Sequence, residues 1–308
     1  MQAPRKSAES RALTWMAVGA ILIGTNAPMV RIAETPPTVS AFWRLLFGGV
    51  LVLLYARIAR QWQPLPRRAW LWALLPGAIF ASDLWLWHRS ILLIGPGLST
   101  LLANAQVFFM ALAGVLLFGE RLGPRFLLGI ALSFFGLWLM LGGNWATLPP
   151  EYRWGVWMGL ATGLSYAIFN VGLKRTQQVA QTDPRRPAPV AQVLGVVSLI
   201  GAAALGLAGA AEGASFAIPT WSSLLVLLAL AAVGHCLSWV LISKAMAHLR
   251  VAVVGLMLLL QPIVAFLLDV GLFGRATSPR EWLGLAFTLA GIFLASLKGR
   301  TRLSEPPA

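Results

Sequence analysis

Hydrophobic residues run along this chain in long unbroken stretches, with neither the alternation of a half-buried strand nor the narrow stripe of a soluble helix. Cutting at clusters of Pro, Gly and charge leaves ten runs of about 20 residues. They lie near 12–31, 38–58, 69–90, 97–118, 124–142, 154–173, 189–210, 219–243, 251–271 and 281–298. An α-helix needs about 20 residues to cross ~30 Å of hydrocarbon. The pattern therefore predicts an all-α integral membrane protein with ten transmembrane helices. Arg5, Lys6 and Arg11 precede the first run as they would in a secretory signal. No small-residue cleavage site follows before Arg31, so this run is expected to stay as a span.

Composition sharpens the picture. The chain is 58% hydrophobic and 11% charged, with a mean hydropathy of +0.76, outside the range of an ordinary soluble domain. A net charge of +14 suggests nucleic acid at first sight, but the basic residues fall singly or in pairs between apolar runs and make no continuous basic face. Alternate connections hold eighteen Lys and Arg on one side and five on the other, with Arg44 inside a span. The positive-inside rule then predicts that both termini lie in the cytoplasm. The single cysteine, Cys236, excludes an internal disulfide, and no metal or cofactor set is expected.

Sliding the chain on itself by 155 positions lays 74–140 on 229–295 without a gap. Non-oily residues match too: Pro124 with Pro279, Arg125 with Arg280, Gly129 with Gly284, Gly136 with Gly291, Arg89 with Lys244 and Gln106 with Gln261. At another offset 15–33 resembles 157–175. The halves, 1–148 and 149–308, hold five spans each. Five is odd, so equivalent helices must cross in opposite senses, as two inverted five-helix repeats, the architecture of secondary transporters.

Four motifs, in this order and partly duplicated, carry a family resemblance: "SAFWRLLFGG" around Arg44, "FGERL" closing the fourth span, "LLLQPIVA" in the ninth, and a Gly-spaced span after each. The chain resembles the EamA-type branch of the drug/metabolite transporter superfamily, with the amino-acid exporters of the YddG group as the nearest subtype. The resemblance implies movement of small metabolites across the membrane. Two positions depart from the pattern: Val107 where the usual Pro would sit, and Arg275 opposite Glu120.

Polar residues inside spans mark the candidate site, since each is costly in hydrocarbon. Gln261 and Pro262 stand together mid-span. Pro262 frees a carbonyl near Leu258, which is tolerated only against protein or a watery cavity, and this makes it the candidate hinge. Gln106, beside Asn104, repeats the polar position; an interhelical hydrogen bond is the plainer reading of Gln261. Arg44 suits a carboxylate, or a snorkelling contact with a helix carbonyl. Asp83 suits an ammonium, or a local contact with Trp87 or Arg44. Asn26, Trp85, Trp87, Tyr166, Asn170, His235, Ser238 and Trp239 complete the cavity candidates. His235, Ser238 and Trp239 would share a helical face at three-to-four spacing. Glu120 with Arg121 reads as stabilisation of a helix start.

An enzyme is disfavoured, because no HExxH, GxSxG or pair of intramembrane acids is present, and a P-loop for ATP-driven transport is absent. The expectation is an alternating-access exporter of amino acids, including apolar and aromatic ones, acting as a monomer in the bilayer and without nucleic acid. The alternatives are an exporter of other small metabolites or drugs of the proton-coupled multidrug type, and a non-transporting receptor. Asp83, Asp269 and His235 are the groups that proton coupling would use. A sugar nucleotide would call for basic residues inside the membrane beyond Arg44.

Overall fold

The computed structural model describes residues 3–296 apart from 61, 119–122, 183–188, 247 and 250. The described residues form helices and no strands. Helices α1 (Ala3–Gly24), α2 (Asn26–Ile32), α3 (Pro37–Ile58), α4 (Arg67–Ile94), α5 (Pro96–Ala103), α6 (Gln106–Phe118) and α7 (Pro124–Leu141) make up the first half. The second half comprises α8 (Pro150–Ala180), α9 (Val190–Ala211), α10 (Trp221–Ala229), a π-helical segment (Leu230–Leu237), α11 (Ser238–Met246), α12 (Val251–Leu258), α13 (Leu260–Phe273) and α14 (Pro279–Ser296). Five of these open on a proline, which has no N–H to leave unsatisfied in the first turn. Gly95 and Gly274 close α4 and α13 at φ 88° and 62°, a conformation costly for residues with a Cβ.

Among the described residues, nine segments are long and apolar enough to cross a membrane. The tenth expected span coincides with α14, whose described part is 18 residues long and carries Arg280 and Glu281 in its first turn. The expected helix-start role of Glu120 and Arg121 lies outside the described residues. Successive connections gather at opposite ends of the bundle. Trp43 donates to the Phe216 carbonyl and Ser90 to that of Gly155, which joins 36–43, 90–97, 150–155 and 212–216 at one end, called here the distal end. Gln192 exchanges hydrogen bonds with the Gln63 backbone at the other end.

Irregular backbone inside the bundle is matched by side chains. Pro76 interrupts α4 and cannot bond to the Trp72 carbonyl one turn earlier; the Thr176 hydroxyl of α8 donates to that carbonyl at 3.1 Å. Two spans are broken at equivalent positions, α5 from α6 at Asn104–Ala105 and α12 from α13 at Leu259. Pro262 lies just beyond the second break, yet the first occurs with Val107 at the proline position. The Asn104 amide, which donates to the Thr100 carbonyl at 2.8 Å, is the local group associated with the first break. A proline is therefore not required for this break.

The seam between α7 and α14 brings two backbones together through glycines. Gly129 lies against the Gly291 carbonyl and Gly136 against that of Gly284, while Ser133 donates to the Thr288 carbonyl. Each contact has a reciprocal partner: residue 129 matches 284, 133 matches 288 and 136 matches 291 at the same offset of 155. A Cβ on Gly284 would sit 2.6 Å from the Gly136 carbonyl oxygen, whereas one on Gly271 would meet nothing within 4 Å. Gly284→Ala should therefore lower the melting temperature by several degrees despite the ~1 kcal/mol gain in helix propensity. Gly271→Ala should hold or raise it, and equal effects in thermal unfolding would contradict the seam.

Candidate functional site

The polar centre of the bundle is built by α2, α3, α4 and the π segment. Apolar packing against α9 and α8 buries Arg44 of α3 and Asp83 of α4, along with Trp87 and His88 one turn beyond the acid. The Arg44 guanidinium carbon lies 5.2 Å from the Trp87 ring centre. The expected Asp83 contacts do not form as hydrogen bonds: Asp83 Oδ1, Arg44 Nε and Nη1, and Trp87 Nε1 are all buried without a partner. Unpartnered buried polar atoms are rare and need a reason. Here donors and an acceptor stand in one neighbourhood, the arrangement that a ligand bearing opposite charges can satisfy.

Two buried histidines repeat the theme. His88 Nδ1 is 2.8 Å from Ser40 Oγ and its Nε2 is free, while His235 Nε2 is 3.1 Å from Ser198 Oγ and its Nδ1 is free. Gly48 lets the His235 ring lie against α3, since a Cβ there would be 2.7 Å from the ring. An aromatic column runs from His235 through Phe80 and Phe169 to Tyr166, with ring centres 5.8, 4.3 and 5.8 Å apart. Phe80 and His235 are themselves equivalent at the 155-residue offset. Asn26 donates to the Gly234 carbonyl at 3.2 Å and keeps Oδ1 unpartnered.

Other candidates lie elsewhere in the bundle. Asn170 donates to the Tyr166 carbonyl at 2.7 Å and reaches Gln106 Oε1 at 3.5 Å. Gln106, Asn104 and Gln261 are half-buried at the helix breaks and Pro262 is buried, while Trp239 packs half-buried against the core cluster that holds Trp87. The π segment alters the face expected for span eight, because the Ser238 hydroxyl is spent on the Val233 carbonyl. Trp85 stands apart at the distal end, where its indole donates to Glu212 Oε1 at 2.8 Å and its ring lies 3.7 Å under Arg89. No cluster of three or more metal-ligating side chains occurs among the described residues.

A multi-pass bundle with a polar, aromatic-walled centre and broken central helices matches a sequence model described as the EamA-like transporter family, over residues 10–142 and again over 153–297. The chain belongs to the EamA-like transporter family. Its relatives include an uncharacterized transporter of Synechocystis, 26% identical over 88% of this chain and 85% of that protein. The uncharacterized transporter YwfM of Bacillus subtilis is 25% identical, over 94% and 95% respectively. A crystal structure with 22% identity superposes at a TM-score of 0.62, covering 93% of this chain and 96% of that one, and shares the fold. The family and its relatives speak for membrane transport rather than an enzyme.

Sequence reasoning did not anticipate the distal cluster of this EamA-family transporter. Glu212, just past α9, accepts from Thr38 at 2.6 Å, from Trp85, and from Arg89 at 2.8 Å, tying α9 to α3 and α4. Partial burial raises the carboxyl pKa, but the hydrogen bonds from Thr38 and Trp85 and the Arg89 charge outweigh it and hold the group below its ordinary value of 4.5. A depressed folded pKa gives stability that is complete above the ordinary value and lost as pH falls through the folded one. Between about pH 5 and about pH 3 the wild-type melting temperature should therefore fall more steeply than that of Glu212→Gln. Parallel slopes would remove the cluster from the stability account.

Proposed function

We propose that this EamA-family transporter exports small zwitterionic metabolites, amino acids with apolar or aromatic side chains among them, across a bacterial inner membrane. It works by alternating access between two inverted five-helix repeats, with both termini in the cytoplasm, and it is closest in type to the YddG-like exporters. The observation that carries the substrate class is the buried pair of Arg44 and Asp83, each with unpartnered polar atoms, beside Trp87 and the Tyr166–Phe169–Phe80–His235 column. Arg44 offers N–H donors to a carboxylate, Asp83 an acceptor to an ammonium, and the rings an apolar wall.

The repeat reading draws on the reciprocal α7–α14 seam, the matched breaks at Asn104 and Leu259, and the two successive family matches. In a pair related by a two-fold axis, residue i touches j′ and j touches i′, as Gly129 and Gly136 do with Gly291 and Gly284. The charge asymmetry of the connections supports the orientation.

Purified protein in liposomes should move radiolabelled apolar and aromatic amino acids saturably, and should not move a nucleotide sugar. Arg44→Gln and Asp83→Asn should each slow that transport about tenfold or more, which corresponds to ~1.4 kcal/mol of lost site interaction. Gln261→Ala and Trp239→Ala should weaken it less. Saturable nucleotide-sugar movement, or none for any amino acid, would overturn the substrate class.

A further inference from the structure

The two halves depart from their own symmetry in how the broken spans pack. Helix α13 packs along α5, with Phe266 against Gly97 so closely that a Cβ on Gly97 would lie 2.7 Å from the Phe266 Cα. The equivalent pair, α6 and α12, has no comparable packing among the described residues. Two apolar clefts beside the helix breaks carry the same imbalance. They are lined by equivalent residues, Leu101 and Leu256, Ala105 and Leu260, Phe134 and Leu289. The first has a volume of about 40 Å³ and the second about 350 Å³. The described chain is thus shut where α5 meets α13, at the distal end, and loose where α6 and α12 run toward the other end.

A polar clasp sits on the shut side. The Gly97 N–H, at the start of α5, donates to Asp269 Oδ2 at 3.2 Å. Arg31 of α2 and Arg275 beyond α13 flank the same carboxylate at 3.6 and 3.7 Å, and Arg275 also holds Glu281 at 2.9 Å. Gly95, with its positive φ, leaves the space the carboxylate fills, since a Cβ there would meet Asp269 Oδ2. Four segments, α2, the α4–α5 turn, α13 and the α13–α14 loop, therefore converge on one acid that is 1% exposed. The two flanking ion pairs are longer than hydrogen bonds, and Oδ1 makes none. The acid at this site has no counterpart, because residue 114, equivalent to 269, is a glycine.

We propose that Asp269 is a one-sided latch, holding α13 on α5 and biasing the transporter toward the state closed at its distal end. The inference rests on the alternating-access reading for its purpose, but the state it describes is defined without substrate. Release of the carboxylate frees α13 from α5; α12 and α13 then swing together into the 350 Å³ cleft beside α14, and the distal end opens. Because the equivalent position is Gly114, that position supplies no matching latch to the opposite state. A two-state equilibrium biased on one side only has an unequal resting population.

The test uses the full chain with Cys236→Ser and one reporter cysteine, labelled by a water-soluble maleimide in detergent micelles. Ser99→Cys, buried on α5, reports distal opening, and Leu260→Cys, half-buried in the lining of the 350 Å³ cleft, reports the opposite side. Adding Asp269→Asn should raise the Ser99→Cys labelling rate about tenfold, the shift that ~1.4 kcal/mol of lost coupling produces, and should lower that of Leu260→Cys. Arg31→Gln, which removes a half-exposed cation and leaves the buried acid, should give a smaller change of the same sign. Opposite changes at the two reporters separate latch release from general unfolding, which speeds both. Unchanged rates in both variants, or faster labelling at both reporters, overturn the latch. Transport in liposomes is a separate readout, so failure of the amino-acid reading leaves this result standing.

Discussion

A carbonyl released from a helix inside hydrocarbon has no water to turn to, and the irregular parts of this bundle are arranged around that constraint. The Trp72 carbonyl, stranded by Pro76, takes the Thr176 hydroxyl. The Thr25 hydroxyl answers the Leu22 carbonyl where α1 gives way to α2. Asn104 and Ser238 add side-chain donors to the Thr100 and Val233 carbonyls, which also accept backbone N–H groups. Such local donors let helices kink at membrane depth without unravelling. Arg44, Asp83, Trp87 and the two histidines keep buried polar atoms without a partner in the centre, and Asp269 does so at the clasp. On the proposed function, a ligand supplies the missing partners in the polar centre.

The contacts that hold the halves together differ in character. The α7–α14 seam is backbone against backbone, so it cannot slide without collision; it suits an axis. The clasp at Asp269 is looser, with one backbone hydrogen bond and two ion pairs at 3.6 and 3.7 Å, and it suits a gate. The distal cluster of Glu212, Arg89, Thr38 and Trp85 ties α9 to α3 and α4. On the alternating-access proposal, the seam serves as the axis and the clasp as the closure that opens.

Much of this was legible in the chain. Span length is set by bilayer thickness, so the runs of apolar residues gave nearly every helix. The glycines at 129, 136, 284 and 291 recur at the 155-residue offset, and the structure sets them against one another. Arg44 and Asp83 stood out because charge inside a span is expensive. What escaped depends on partners far apart in sequence: Glu212 meets Arg89 across 123 positions, and Asp269 meets Gly97 across 172. No local pattern announces either. The π segment was equally silent, and it changed what Ser238 does. Pro262 drew attention to the break at Leu259, yet the matching break at Asn104 occurs with Val107 at the proline position, so the proline alone does not account for it.

The central claim is that the two ends open in alternation about a fixed seam. Paired spin labels on exposed positions test it directly: Leu92 with Leu272 across the distal end, and Leu116 with Leu256 across the other. Without ligand, the distal pair should give a short, narrow distance distribution and the other pair a longer one. On adding a transported amino acid in liposomes, a second population should grow in both, longer at the distal pair and shorter at the other, in equal proportion. Two distributions that stay single and unchanged while transport proceeds would contradict the account.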